Sequence, residues 1–185
     1  MMNTQFTSTA LTGAGLAIGL ALLVVQHARW WKTGGGGAVA GGGGSRDPKA
    51  LIPFWSGISF GTLMVACPAG LLGVAAGALR WGGNSLGDFV MSTMTGQRST
   101  VVAAASAPRL DGNGALIVTA LVITLWLLRK QFAKVAKSGF KAGVWSGTLL
   151  TIGTGTFAII GNFIVPTVNS AGAQLLGKVV HGTIL

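Results

Sequence analysis

The chain has 185 residues, half of them hydrophobic and only 9% charged, with a mean hydropathy of +0.66. Soluble domains carry about 25% charged residues, so this chain lacks the ions to cover a globular surface, and lipid is the expected solvent for much of it. Three acidic residues stand against thirteen Lys and Arg, for a net charge of +10. Cys67 is the only cysteine, which excludes an intrachain disulfide and a thiolate metal cluster.

Four apolar segments predict an all-α, polytopic membrane protein of about four transmembrane helices in a single domain. A helix crosses a hydrocarbon core of roughly 30 Å with about 20 apolar residues. The first span is expected over 9–25, "TALTGAGLAIGLALLVV", uncharged and closed by "QHARWWK". A Gly-rich loop over 33–45 follows, with two runs of four glycines. It lacks the Gly-Lys-Ser/Thr ending of a phosphate loop. Ala38-Val39-Ala40 stands too far past the apolar run for a signal-peptide cleavage site, and no basic residue precedes that run. The glycines are expected to be a flexible tether.

The second span is expected over 51–79, with Pro53 in its first turn and Pro68 in its middle. Pro68 should bend it by freeing the carbonyl of residue 64; two re-entrant half-helices are the alternative. An exposed outer loop is expected over 80–113, polar and rich in small residues. The third span, 114–128, stops at Arg129-Lys130, and the fourth, 144–165, ends at Pro166. The tail 166–185 carries Leu175-Leu176 and Val179-Val180 at helical spacing, suited to a short interfacial helix.

Charge placement orients the chain. The loops over 26–50 and 129–143 are basic, while the outer loop balances Arg80, Arg98 and Arg109 with Asp88 and Asp111. The positive-inside rule then puts the two basic loops in the cytoplasm and both termini outside a bacterial cytoplasmic membrane. All six Trp fall at or near a predicted span end, as interfacial anchors do.

Two groups of residues stand out. Gly15 and Gly19, Gly57 and Gly61, Gly73 and Gly77, and Gly143 and Gly147 are spaced by four, which places each pair on one helix face for close packing. That packing serves either one four-helix bundle or a homo-oligomer. The basic loop over 129–141, "RKQFAKVAKSGFK", carries Arg129, Lys130, Lys134, Lys137 and Lys141 with no acid. On a helix Lys130, Lys134, Lys137 and Lys141 form one basic stripe, and the run suits anionic lipid or an acidic partner; direct nucleic-acid contact is not expected. His27 and His181 lie at opposite ends, and no His, Asp or Cys spacing suggests a metal site, a cofactor site or a catalytic group. A non-enzymatic protein is expected.

The stretch "AAGALRWGGNSLGD", Ala75 to Asp88, resembles the small multi-spanning "spread" proteins encoded beside the DNA translocase of actinomycete conjugative plasmids. The resemblance implies an oligomeric membrane component that helps plasmid DNA pass between compartments, with a DNA translocase or other membrane subunits as partners. It assigns no catalytic residue. A holin-like phage pore and a pilin or secretion-channel subunit are the competing expectations.

Overall fold

A computed structural model describes residues 10–32, 48–67, 70–104, 109–127, 139–151 and 158–180. It is helical apart from one small ribbon. Strand β1 (Ala10–Thr12) leads into helix α1 (Gly13–Lys32). A 3-10 turn (Pro48–Leu51) opens α2 (Ile52–Ala66), and α3 (Gly70–Thr95) follows. Strand β2 (Val101–Ala104) pairs antiparallel with β1. Then come α4 (Gly112–Leu127), α5 (Gly139–Leu150) and α6 (Ala158–Val180). By length and composition, α1 and the run Pro48–Ala66 can each cross a membrane, and α4 is a shorter apolar helix.

Local chemistry sets the helix starts. Thr12 Oγ1 accepts the N–H of Gly15 at 3.1 Å, capping α1, and Asp111 Oδ1 accepts that of Gly114 at 2.7 Å, capping α4. Pro53 sits in the first turn of α2, where its missing N–H costs nothing.

Several expected boundaries change. The segment 51–79 is not one bent helix: α2 stops at Ala66, Cys67 is extended, and Gly70, at φ +86°, begins a separate helix. Only glycine takes that φ readily, so the break is deeper than a proline kink. The expected outer loop over 80–113 is mostly ordered. Its first part is the C-terminal half of α3, 101–104 is β2, and 112–113 begin α4. The expected span 144–165 is likewise divided. Helix α5 starts earlier, at Gly139, and ends at Leu150, while α6 begins at Ala158 and runs straight through Pro166. Pro166 is exposed, so its ring meets solvent-facing space and not a packed neighbour. The Gly-rich loop over 33–45 and the residues 128–138 lie outside the described residues.

The chain folds as two copies of one three-helix unit, α1–α3 and α4–α6. The sequences of α2 and α5 align as "FWSGISFGTLM" (Phe54–Met64) and "FKAGVWSGTLL" (Phe140–Leu150), sharing Phe, two glycines, Thr and Leu at the same spacing. "LTGAG" (Leu11–Gly15) matches "LDGNG" (Leu110–Gly114), and "NSLG" (Asn84–Gly87) matches "NSAG" (Asn169–Gly172). The contacts match as well as the letters. Asn84 Oδ1 accepts the N–H of Thr12 at 3.1 Å, and its amide donates to Ala10 O at 3.0 Å. At the equivalent place Asn169 Oδ1 accepts the N–H of Asp111 at 3.2 Å, and its amide donates to Arg109 O at 3.4 Å. Gly87 rests on the Ala14 backbone, and Gly172 rests on that of Asn113. Leu11 packs with Leu149 in one small core, and Leu110 packs with Leu63 in the other. The start of α1 is thus buried against α5, and Leu110, just before α4, against the end of α2.

Candidate functional site

The two units meet along α2 and α5. Phe54 O faces Gly143, Ile58 O faces Gly147, and Val144 O faces Gly61. Register advances in the same sense along both helices, so they run parallel. A Cβ at Gly57 would stand 3.0 Å from Gly143 Cα, and a Cβ at Gly143 would stand 3.0 Å from Gly57 Cα. Each of the four glycines lets a carbonyl of the opposite helix approach to where a side chain would begin. Backbones this close gain dispersion and Cα–H···O contacts that larger residues exclude. The two backbones touch directly at these four glycines.

At the C-terminal end of this seam lies a buried polar cluster. Thr62 Oγ1 and Thr151 Oγ1 are 2.9 Å apart across the two helices. Thr148 and Thr151 each return their hydroxyl to a carbonyl one turn back, Val144 O at 2.7 Å and Gly147 O at 2.6 Å. Arg80, from α3, enters the cluster with only 1% of its surface exposed. Its Nε donates to Thr148 O at 3.0 Å, and its Nη2 donates to Thr151 O. The last carbonyls of a helix have no intrahelical donor and carry the negative end of its dipole. The guanidinium thus caps α5 inside the protein. In the twin unit the position of Arg80 is held by Val165, fully buried against Leu63, Ala66, Leu110 and Val118.

The glycines singled out by spacing are placed as follows. Gly57, Gly61, Gly143 and Gly147 form the α2–α5 seam. Gly19 lies on Leu149 and Leu150, and its carbonyl accepts the hydroxyl of Ser146 at 3.0 Å. Gly15 faces the Asn84 side chain. Gly77 is buried in α3 and Gly73 is half-buried. Arg129, Lys130, Lys134 and Lys137 lie outside the described residues; Lys141 is exposed on α5, one residue from the seam-lining Phe140.

Three further polar side chains make local contacts. His27 Nδ1 lies 2.8 Å from Leu23 O, and its ring meets Phe54 and Trp55 edge-on at 5.9 and 5.6 Å. Cys67 Sγ donates to Leu63 O at 3.3 Å, and Asp88 Oδ1 accepts the N–H of Ser99 at 2.7 Å. Among the described residues no three His, Cys, Asp or Glu side chains gather as metal ligands would.

Arg80, Asn84 and Asn169 were not selected by glycine spacing or charge runs. The signal for the two Asn is the internal repeat, in which "NS" followed by any residue and Gly recurs at the same place in each unit; Arg80 has no such signal, since its counterpart is Val165. Family models, characterised proteins and solved structures give no match to this chain.

Proposed function

We propose that the chain is a non-enzymatic integral protein of a bacterial cytoplasmic membrane, crossing it four times through α1, α2, α4 and α5. In this reading it works as a subunit of an oligomeric assembly that helps a conjugative plasmid spread between compartments. The observation that carries the membrane part is the inverted distribution of residue types. Glycines and Thr fill the seam, while Val24, Ile52, Ile123 and Leu127 project outward from α1, α2 and α4. Water would not tolerate that surface, and hydrocarbon favours it. The plasmid-transfer part rests on the likeness of "AAGALRWGGNSLGD" to the spread proteins.

The α2–α5 seam bears on how such a subunit could act. The backbones of α2 and α5 fill the space between them, so in this reading the conduit forms between several copies or beside a translocase. Six of the spaced glycines are spent on contacts within the chain. Oligomer contacts then fall to the outward faces of α1 and α4. The basic run from Arg129 to Lys141 is read as a cytoplasmic surface for anionic lipid or an acidic partner.

Deleting the gene from its host and scoring plasmid spread, with complementation, tests the reading. Reduced spread restored by the intact gene supports it. Unchanged spread, or host lysis when the gene is overexpressed, contradicts it, and lysis points to a phage pore.

A further inference from the structure

We infer that α3 and α6 do not cross the bilayer but lie along its outer boundary, with their outward faces seated among lipid headgroups and upper acyl chains. The inference rests on the four-crossing reading and adds to it an interaction surface with lipid as its partner.

The argument begins with direction. Gly57 and Gly143 are side by side on parallel helices, so an odd number of full crossings must separate α2 from α5. The end of α2 rises past Gly57, and α4 supplies the descent. The start of α4 is fixed at the upper end, because Leu110 N–H donates to Ala66 O at 3.0 Å. Helix α3 must then begin and end on that same side. At about 1.5 Å per residue its 26 residues reach ~39 Å, so it fails to cross for topological reasons and not for want of length.

Its contacts agree. Leu72 packs on the Ala66–Leu110–Val165 cluster, and Arg80 reaches the last carbonyls of α5. Asn84 holds Ala10 and Thr12, and Asp88 holds the Ser99 N–H. All these partners lie at one end of the bundle. Helix α6 repeats the pattern through Val165, Asn169 and Gly172.

Both helices expose large apolar residues. Leu71 is 86% exposed, Phe89 67% and Phe163 71%. Exposed apolar residues recur at equivalent positions of the two units: Val74 with Ile159, Val90 with Leu175, and Met94 with Val179. The charged side chains of α3, Arg80 and Asp88, are turned to partners within the protein. A protein docked on one flank would favour one unit; a lipid annulus contacts both alike. Helices of this kind sit roughly 5–10 Å into the headgroup and acyl boundary.

The test uses the full chain carrying Cys67→Ser, reconstituted in phosphatidylcholine–phosphatidylglycerol vesicles. Single spin labels are attached after Phe89→Cys, Phe163→Cys or Ile123→Cys. Collision with oxygen, compared with a water-soluble nickel chelate, reports depth. Labels at 89 and 163 are expected at similar shallow depth, ~5–10 Å below the phosphates, with the label at 123 near the bilayer centre, ~15 Å deep. Labels at 89 and 163 found at the centre would make α3 and α6 spans and overturn the inference. So would labels reached only by the nickel chelate, or shielded from both reagents by protein. A water-exposed label at 123 would instead remove the four-crossing reading on which the inference stands.

Discussion

Gly57 and Gly143 face each other so closely that a Cβ on either would stand 3.0 Å from the other's Cα. The whole two-unit arrangement hangs on this approach, because it lets α2 and α5 lie with backbone against backbone. Gly57→Ala or Gly143→Ala should each destabilise the protein by about 1–3 kcal/mol, the usual cost of overpacking. Thermal unfolding in detergent micelles, followed by far-UV circular dichroism, reads the effect. Gly177→Ala is the control. Its Cβ would meet nothing within 4 Å in the last turn of α6, so it should be neutral or stabilising by less than about 1 kcal/mol through helix propensity. Equal losses at all three positions would contradict the seam.

Asn84 and Gly15 should be energetically coupled. A Cβ at Gly15 would run into Asn84 Oδ1, so Gly15→Ala alone should be destabilising. Asn84→Ala alone frees the Thr12 N–H and Ala10 O, at about 1–3 kcal/mol. In the double variant the collision is gone, and the combined loss should fall short of the sum by at least ~0.5 kcal/mol. The equivalent pair, Gly114 and Asn169, should behave in the same way. Strict additivity in both cycles would argue against the shared clamp.

Much of this was legible in the sequence, but unevenly. Hydropathy and charge marked the apolar helices, and four-residue glycine spacing selected the seam residues Gly57, Gly61, Gly143 and Gly147. The ends of the helices were harder. A continuous apolar run over 51–79 conceals the break, since no hydropathy signal separates Cys67 from Gly70 within it. Helix α3 looked like a loop because Gly82, Gly83, Asn84 and Ser85 read as turn residues. They are on a helix because the glycines admit Leu149 and the Trp145 ring, and Asn84 reaches the start of α1. The repeat was present in "FWSGISFGTLM" and "FKAGVWSGTLL", but only paired contacts show which letters matter.

Arg80 should be replaceable by neither Lys nor Leu. Arg80→Leu leaves Thr148 O and Thr151 O without this donor in a buried place, with an expected loss of about 1–3 kcal/mol for each unpaired group. Arg80→Lys supplies one compact donor group where the guanidinium offers a fork, so it should recover only part of the stability. The measurement is again the unfolding midpoint in micelles, with retained helicity below the transition showing that the variant folds. Full stability of Arg80→Leu would show that the α5 end is satisfied in another way.

The basic run gives a prediction for lipid. Changing Arg129, Lys130, Lys134, Lys137 and Lys141 together to Gln should weaken the preference of the reconstituted protein for anionic over zwitterionic lipid, with the basic loop over 26–50 supplying the remainder. Each charge near an anionic surface is worth roughly 1 kcal/mol. Lipid-composition titration by fluorescence reads the change, and an unaltered preference would assign it to another part of the chain.

The parallel, in-register pairing of α2 and α5 carries the account, and a disulfide tests it most directly. Thr62 Oγ1 and Thr151 Oγ1 are 2.9 Å apart, so Thr62→Cys with Thr151→Cys, in the Cys67→Ser chain, should crosslink within one molecule when membranes are mildly oxidised. Tryptic pieces carrying the two positions should then stay joined until reduced, at every protein density in the membrane. Absence of that link, or a link that forms only between two copies, would contradict the two-unit architecture.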